Sequence, residues 1–393
     1  MPIHVATTSE ARELRDRVRA FVADVVVPAE QEALAGDVTD ELRVRLQGLA
    51  RKAGVLAPQA PAEYGGGGAD FLTTALLLEE AGYSLLGPLA MNCAAPDEGN
   101  MHLLSVVASA PQKERYLRPL VSGDVRSCFA MTEPPPGAGS DPAALATTAC
   151  RRPGGWLLEG DKQFITGADG AGFAIVMARA VDPPLGATLF LVDAGNPGWQ
   201  VRERMATIDA STVGGHCRVR LRDLFVGDDA VLGAVGQGFA QARVRLVPAR
   251  LTHCMRWLGA ARRAHDIALL RTSDRELFGA PLGSLGMAQQ LIADNEIELA
   301  ASRALLWQVA AEVAGGVSST EASSRAKVFI SEATSRIVDR AVQLAGGMGV
   351  TEESVIGRIY ADIRAFRIYD GPSEAHRAAI ARRVMARVRQ APA

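Results

Sequence analysis

The amino-acid sequence predicts an α+β protein with an N-terminal helical domain, a central antiparallel β domain and a C-terminal four-helix-bundle domain. Three observations predict this order. Alanine- and leucine-rich segments of helical period fill the opening third, and short β-branched or alternating runs begin near Cys128. Long amphipathic helical segments then resume after Gly236. The predicted domains are therefore residues 1–127, 128–236 and 237–393.

The N-terminal domain opens with a predicted helix that starts at Thr7. Glu10 stands three residues later, as in a capping box, and apolar residues at Leu14, Val18 and Phe21 recur on one helical face. Further Ala/Leu-rich segments follow, separated by glycine-rich breaks such as EYGGGGAD. These breaks predict a series of helices joined by turns.

The middle of the chain carries the strand pattern, and the closing third returns to helices. Segments such as GWLLEGDKQFITG and ATLFLVDAG place β-branched or alternating residues between turn formers. The later amphipathic segments have the length of helices in four-helix bundles. Gly346 and Gly347 follow Leu344, where glycine suits a helix C-cap and leaves the backbone open to approach.

Composition argues against several kinds of partner. The 393-residue chain is 48% hydrophobic and has a net charge of -2, which gives no electrostatic reason to expect nucleic acid or an anionic membrane. No apolar run is long enough to span a bilayer, and the charged N-terminus is unlike an export signal. Five scattered cysteines without CxxC spacing predict neither disulfides nor a zinc site and fit a reducing cytoplasm. Six histidines without HxxxH or HExxH spacing predict no metal site.

The segment MTEPPPGAGSD, residues 131–141, is the first candidate site because it lies where the helical domain meets the β domain. Its prolines preset the backbone, while Gly137 and Gly139 let amide groups approach a ligand. Thr132 and Ser140 add hydroxyls that can bond to ring oxygens or phosphates. These residues alone leave two interpretations open, a ligand-binding loop and a rigid interdomain turn.

Two shorter segments offer side chains for chemistry. In KQFITG, Phe164 and Thr166 lie on one side of a predicted strand, which fits either a binding surface or an amphipathic strand with one buried ring. In RIYDGPSEAHR, Asp370 precedes Gly371 and Pro372 at a predicted helix break. Its carboxylate is therefore either a general base in a cleft or part of a plain turn.

These segments, in this order and in a chain of this length, resemble the acyl-CoA dehydrogenase family of flavoproteins. The likeness covers nearly the whole chain and includes SAPQKERYLRPLVSGDVRSCFAMTEP, GDKQFITGA and QLAGGMGV. Within the family, NCAAPDEGNM (residues 92–101) and RLVPARLTHCMR (residues 245–256) are most similar to a branch in which some members carry a fused phosphotransferase-like domain. We expect no such domain in this chain.

The resemblance implies an FAD site that is shared between subunits. The cofactor-binding residues that it implies are Met131, Thr132, Gly139, Ser140, Phe164, Ile165, Thr166, Arg275, Phe278, Gln343, Gly346, Gly347 and Ser373. Those from Arg275 to Gly347 match residues that reach the FAD of a neighbouring subunit. The resemblance therefore also implies a homodimer or a homotetramer.

The resemblance further implies the reaction. Asp370 removes the α-proton of an acyl-CoA thioester while a hydride leaves the β-carbon for flavin N5, which gives a trans-2-enoyl-CoA. The implied substrate-binding residues are Ser140, Arg250 and Gly371. An electron-transfer flavoprotein is the implied electron acceptor.

The cofactor segments depart from the family pattern. The loop is longer than the common TEPGAGSD form, so either the extra prolines bulge outward or the loop fails to close on the flavin. Leu285 and Gly286 stand where the family often has His-Gln, and Pro372 and Glu374 replace the usual Thr and Gln. Some contacts to the ADP part of the cofactor must therefore differ.

The proposed base also departs from the common pattern. Asp370 stands where most members have glutamate, and Ala249 fills the alternative base position. Losing one methylene shortens the reach by about 1.5 Å, so the backbone or the substrate must shift. Asp97 and Glu98 either line the acyl pocket or serve as helix-start carboxylates. Two other functions stay open: a flavin oxidase or monooxygenase of the same fold acting on a small non-CoA molecule, and a non-catalytic scaffold without FAD.

Overall fold

A computed structural model describes residues 8–34, 36–182, 184–209, 211–317, 320–351 and 353–390. Helices, a sheet and further helices follow one another along the chain, and the predicted α+β fold class is confirmed. Within the described ranges, no helix is long and apolar enough to cross a membrane. All five cysteines are free.

The N-terminal part consists of short and medium helices. Its elements are α1 (Ser9–Phe21), a π-helical turn (Val22–Val26), α2 (Val27–Leu34), α3 (Asp40–Lys52), a 3-10 turn (Ala62–Tyr64), α4 (Phe71–Ala81), α5 (Gly87–Ala90), α6 (Asp97–Val107), α7 (Ala110–Gln112), a second π-helical turn (Lys113–Leu117) and α8 (Arg118–Val121).

The cap of α1 differs from the prediction by one residue. The Thr8 hydroxyl accepts a hydrogen bond from the Ala11 amide at 3.1 Å and satisfies an amide at the helix start. Thr7 itself lies outside the described residues. The predicted capping box with Glu10 was therefore wrong in register.

The middle of the chain forms one sheet in the order β6-β7-β3-β2-β4-β5-β8, with β1 also paired to β4. Its strands are β1 (Ser127–Ala130), β2 (Thr148–Arg152), β3 (Gly155–Thr166), β4 (Phe173–Asp182), β5 (Pro184–Asp193), β6 (Trp199–Met205), β7 (His216–Gly227) and β8 (Val231–Leu232), with 3-10 turns at Pro142–Ala144 and Asp228–Ala230. Most neighbours are antiparallel, as predicted.

Two strand pairings are parallel, which the sequence pattern did not predict. β1 pairs with the first half of β4, where Ser127 lies opposite Phe173, and β2 pairs with the second half, where Thr148 lies opposite Arg179. β1 and β2 therefore form one interrupted strand line beside β4. The segment between them, residues 131–147, is an excursion that leaves this line and returns to it, so β4 fixes both of its ends.

The C-terminal part contains the longest helices. Its elements are α9 (Gly238–Asp274), a small hairpin of β9 (Glu276–Leu277) and β10 (Ala280–Pro281), a 3-10 turn (Leu282–Ser284), α10 (Gly286–Ala314), α11 (Thr320–Ala345), a 3-10 turn (Gly346–Val350), α12 (Val355–Ile363), a 3-10 turn (Arg364–Arg367) and α13 (Ser373–Gln390). As the glycine pair indicated, α11 ends at Ala345, and Gly346 adopts the positive φ of 64° that a C-cap requires.

One apolar core joins the N-terminal and C-terminal helices. It includes Leu77 and Leu78 of α4, Leu258 of α9 and Ile330 of α11, all fully buried. A second core lies between the N-terminal helices and one side of the sheet, and a third contains mainly residues of the sheet itself. The candidate site lies where α6, α9, α11 and the turn before α13 meet.

The contact between α4 and α9 depends on a glycine, and we expect Gly259→Ala to destabilise the protein. A β-carbon at Gly259 would collide with the Glu79 carbonyl oxygen and with backbone atoms of Gly82 and Tyr83. Since backbone atoms cannot rotate away, the two helices must separate, at a cost of about 1–3 kcal/mol in the free energy of unfolding. Urea denaturation followed by circular dichroism measures this loss.

Gly48→Ala is the matched control for this prediction. Gly48 also lies inside a helix, α3, but a β-carbon there meets no atom within 4 Å. Alanine has the higher helix propensity, so this variant should be more stable by about 0.5–1 kcal/mol. Equal changes in the free energy of unfolding in the two variants would show that close packing at Gly259 is unimportant.

Candidate functional site

Asp370 lies at the predicted break between the 3-10 turn at Arg364–Arg367 and α13. Its φ is +52° and that of Gly371 is +98°, so the chain turns sharply through two successive residues of positive φ. For a residue with a side chain this conformation is costly, and such strain is concentrated at functional sites. Phe164 and Phe278, two other predicted site residues, also have positive φ, at +54° and +55°.

Three side chains hold the backbone at Asp370. Arg250 of α9 donates from Nε to the Asp370 carbonyl oxygen at 3.0 Å, and His376 of α13 reaches the same oxygen from Nε2 at 3.1 Å. Lys327 of α11 donates to the Gly371 carbonyl oxygen at 2.8 Å. Three separate helices therefore fix the position from which the carboxylate projects.

Burial governs the ionisation of two of these anchors. Burial and, to a smaller extent, the nearby Arg250 lower the pKa of His376 to about 4. The pKa of Lys327 is lowered to about 8 by burial, although Asp370 opposes this shift. His376 is therefore neutral near pH 7, and its Nε2 proton is the one that bonds to the Asp370 carbonyl oxygen.

The Asp370 carboxylate lies in a largely buried setting. Its side chain is 17% exposed, and Oδ2 lies 3.4 Å from Nε2 of His253. Within the described chain, buried Oδ2 has no hydrogen-bond partner. Ala249, at the alternative base position, is 2% exposed and carries no ionisable group. The carboxylate of Asp370 is thus held in place by its backbone and left available to accept a proton.

The α6 carboxylates connect elements to one another. Asp97 Oδ1 accepts from the Ser127 amide at 2.7 Å and from its hydroxyl at 2.6 Å, and burial raises the pKa of Asp97. Glu98 Oε2 accepts from the Thr252 hydroxyl at 2.8 Å and lies 3.6 Å from Arg256. Both residues lie in the first turn of α6, as in the helix-start alternative, and Asp97 fixes the helix to β1 while Glu98 fixes it to α9.

Arg245 places a buried guanidinium in the same region. Its Nε donates to Asn100 Oδ1 at 2.9 Å, and its guanidinium carbon lies 4.4 Å from the centroid of the Phe129 ring. Burial lowers the pKa of Arg245, while the nearby carboxylates of Asp370 and Glu98 oppose this. In the described structure Arg245 forms no ion pair, so the carboxylates of Asp370 and Glu98 act on its charge from beyond ion-pair distance. Sequence reasoning did not identify this residue.

The loop at residues 131–147 is closed at its base by one carboxylate. Glu133 is buried, and its oxygens accept hydrogen bonds from the amides of Ala138, Ala146 and Thr147 and from Lys162 Nζ. The Glu133–Lys162 distance is 2.8 Å and both side chains are at most 1% exposed. Opposite sides of the loop are therefore fixed to the same group.

Lys162 completes this arrangement from β3. Its Nζ also donates to the carbonyl oxygens of Met131 at 3.2 Å and Met177 at 2.7 Å, in the gap between β1 and β2. Burial lowers the pKa of Lys162, and the charge of Glu133 offsets part of this shift. Because the loop base is fixed in this way, exposed Pro135 and Pro136 lie outside it, as in the outward-bulge alternative.

The start of the loop lies beside the end of β3. The Gln163 amide donates to the Thr132 carbonyl oxygen at 3.0 Å, which brings the residues around Met131 next to those around Phe164. Gly139 and Ser140 lie further along the loop, where both are exposed and a β-carbon at Gly139 would meet nothing within 4 Å.

The prediction that side chains alternate regularly between the two faces of β3 was wrong near Phe164. The register with β7 shifts between Lys162 and Ile165, which marks a bulge. Phe164 is 50% exposed, Ile165 is 1% exposed, and the Thr166 hydroxyl pairs with His216 Nδ1 at 2.9 Å. Any contact of Ile165 with a ligand is therefore through its backbone.

The predicted residues of the C-terminal part lie apart from this group within one chain. Arg275 and Phe278 lie in the small hairpin segment, and Gln343, Gly346 and Gly347 lie at the end of α11. All are exposed, Phe278 by 96%. No hydrogen bond of the described residues joins them to the 131–147 loop. Ser373 starts α13 and is buried at 1% exposure.

Besides Arg245, three residues of the site were missed by sequence reasoning. Glu133 stands inside the candidate loop, and a charged residue directly before three prolines was a usable signal. Lys162 precedes Phe164 in β3, where its charge marks a special position in a strand. His253 gave no such signal, because only the fold brings it to Asp370 across 117 residues of sequence.

Comparison with known proteins gives a consistent result along the chain. Residues 8–124 match the description "Acyl-CoA dehydrogenase, N-terminal domain", residues 128–224 match the middle domain and residues 236–385 match the C-terminal domain. A Mycobacterium tuberculosis relative named "Probable acyl-CoA dehydrogenase FadE2" is 34% identical over 80% of this chain and 79% of its own length. Human "Acyl-CoA dehydrogenase family member 11" is 30% identical over 95% of this chain but 50% of its own. The chain thus spans about half of that relative.

Solved structures agree with these matches. A Mycobacterium abscessus protein assigned to the acyl-CoA dehydrogenases has a TM-score of 0.91 and 34% identity, over 98% of this chain and 100% of that one. A glutaryl-CoA dehydrogenase from Mycobacterium smegmatis, in complex with FADH2, has a TM-score of 0.86 and 25% identity. The match covers 97% of this chain and 95% of that one.

Proposed function

Because this chain belongs to the acyl-CoA dehydrogenase family, we propose that it oxidises an acyl-CoA thioester to a trans-2-enoyl-CoA with FAD as its cofactor. Asp370 is the proposed base that takes the α-proton. One observation carries this assignment: three helices hold the Asp370 backbone while its buried Oδ2 has no hydrogen-bond partner in the described structure. A fixed carboxylate that is free to accept a proton suits this role.

The residues beside the loop fit a flavin. The half-exposed ring of Phe164 and the backbone around Met131 and Thr132 offer an aromatic surface next to polar groups, as a planar ring with polar edges requires. FAD, when bound, accepts the hydride that leaves the β-carbon. Gly139 and Ser140 are proposed to bind cofactor, with Ser140 also reaching the acyl-CoA arm. Thr166, the Ile165 backbone and Ser373 complete the proposed contacts from one chain.

A second subunit is proposed to complete the cofactor site. Exposed Arg275, Phe278, Gln343, Gly346 and Gly347 would contact the FAD of a neighbouring copy. Large apolar side chains near them are also exposed, among them Met287 by 79% and Val350 by 75%. Apolar surface of this kind favours burial against a partner, which supports a homodimer or homotetramer.

The rest of the proposal concerns substrate, electrons and location. The amide and backbone of Asp370 and Gly371, anchored by Arg250, are proposed to orient the thioester. An electron-transfer flavoprotein is the proposed acceptor, and the protein is proposed to act in the cytoplasm. The domain boundaries at 127/128 and 236/237 are retained as part of this proposal.

Anaerobic titration of the purified protein with a panel of acyl-CoA thioesters tests the function. We expect a yellow protein whose flavin absorbance is bleached by at least one thioester, because the carboxylate and the cofactor loop are both in place. Protein mixed with CoA alone is the control. A yellow protein that no thioester bleaches would contradict the proposal.

A second candidate function has one observation in its favour. The buried charge of Arg245 near Asp370 suits a small polar substrate better than a plain hydrocarbon chain. This favours a flavin oxidase or monooxygenase of the same fold. Rapid reaction of the reduced flavin with oxygen would distinguish that enzyme from a dehydrogenase. The closed base of the loop argues against the third alternative, a scaffold without FAD.

A further inference from the structure

We propose that His253 is a positioning residue for Asp370 and that it donates its Nε2 proton to Asp370 Oδ2 when substrate is bound. This inference rests on the proposed function, in which Asp370 is the base. The two atoms lie 3.4 Å apart, and His253 is 9% exposed. Catalytic hydrogen bonds are often long before substrate binds and then shorten.

The tautomer of His253 follows from its other nitrogen. Nδ1 lies 3.1 Å from a terminal nitrogen of Arg256, and a guanidinium can only donate hydrogen bonds. Nδ1 must therefore accept, and the single proton of a neutral imidazole must be on Nε2. That proton is directed to the side of the ring where Asp370 Oδ2 lies.

Arg256 is itself fixed, which makes the arrangement rigid. It donates to the Cys93 carbonyl oxygen at 2.9 Å and lies 3.6 Å from Glu98, which in turn accepts from Thr252. The His253 ring also packs against Tyr369, with the ring centroids 4.7 Å apart. A series of contacts from Glu98 through Arg256 to His253 thus ends at the carboxylate.

The surroundings keep His253 uncharged. Burial and the cations Arg256, Arg245 and Lys327 all lower its pKa well below the ordinary value. The groups that face His253 or its partner Arg256 are Asp370 and Tyr369 from the turn before α13, Arg245 and Arg256 from α9, Glu98 from α6 and Lys327 from α11. A neutral donor orients the carboxylate without placing a full positive charge against it.

This role fits the shortened base. Aspartate lacks one methylene of the usual glutamate, so a small displacement of its carboxylate changes the distance to the substrate strongly. The backbone is held by Arg250, His376 and Lys327, but those bonds do not restrict side-chain rotation. In the described structure His253 is the polar side chain that lies near Oδ2, and we infer that it selects the productive rotamer.

The test compares His253→Leu, His253→Asn and His253→Gln in the FAD-loaded full-length protein, with the best thioester from the titration. We expect the Leu variant, which has no donor, and the Asn variant, whose amide is too short, to lose about 10- to 100-fold in kcat. The acid limb of their kcat profile should move to higher pH, since the ionised form of the base loses a hydrogen-bond donor. The Gln amide reaches as far as Nε2 and should restore both.

His265→Leu is the matched control, because His265 is another buried histidine of α9 that bonds to Asn295 and Glu296 instead. It should lower the melting temperature and leave the pH profile unchanged. Wild-type rate and profile in both His253→Leu and His253→Asn would overturn the inference, as would a Gln variant no better than Leu. If instead Asp370→Asn keeps its rate, the assignment of Asp370 as base in the proposed function fails, and if no thioester bleaches the flavin, the proposed reaction fails, so these failures are distinguishable from that of His253.

Discussion

Asp370→Asn should abolish turnover and leave the flavin bound. Asparagine has nearly the same shape as aspartate but cannot take up the α-proton, and general-base catalysis is worth about 10²- to 10⁴-fold in rate. The anchoring bonds from Arg250, His376 and Lys327 reach carbonyl oxygens of the main chain, so the substitution leaves them intact. Stopped-flow reduction of the flavin by the best thioester measures the rate, and the visible spectrum measures flavin content.

Asp370→Glu is the matched control for this substitution. It restores the carboxylate of the common family pattern one methylene further from the backbone. Because that shift moves the base by about 1.5 Å, we expect a rate between those of the wild type and the Asn variant. Wild-type turnover in the Asn variant would show that another group removes the proton.

Glu133→Gln should destabilise the protein by about 3–5 kcal/mol, because it leaves the Lys162 charge buried without a counter-charge. The same change weakens the bonds that join the two sides of the 131–147 loop. We therefore expect a lower free energy of unfolding together with weaker flavin retention. Urea denaturation and equilibrium dialysis of FAD measure the two effects.

Glu203→Gln is the matched control for the buried pair. Glu203 pairs with Arg218 between β6 and β7, but both side chains are more than half exposed. Exposed pairs contribute at most about 1 kcal/mol, so this variant should resemble the wild type. Equal losses in the Glu133 and Glu203 variants would show that burial of the pair has no special effect.

The same pair has a pH consequence. Burial alone would raise the pKa of Glu133, but Lys162, the Thr147 interaction and backbone donors lower it overall. A carboxyl whose folded pKa lies below its unfolded value of about 4.3 adds stability above that pH and loses it as the pH falls. The wild type should therefore lose stability below about pH 4 more steeply than Glu133→Gln.

The order of helical, β and helical parts was predictable because the apolar residues of each part recur with the period of its own secondary structure. The Asp-Gly-Pro signal also placed a break at Asp370, and the structure has the turn there. Pairings between distant segments were not predictable: no local pattern indicates that β1 and β2 share one line beside β4. For the same reason the contact between His253 and Asp370 could not be read from residue spacing. A bulge likewise replaced simple alternation at Phe164.

The core shared by the first and last helices has a consequence for synthesis in the cell. Leu77 and Leu78 of α4 are buried against a group that includes Leu258 of α9, about 180 residues later in the chain. The N-terminal helices leave the ribosome well before α9, their packing partner, has been synthesised. Until α9 emerges, the nascent chain exposes the apolar face of α4 that later packs against α9. Chaperone capture should therefore be strongest for ribosome-bound chains that stop short of α9.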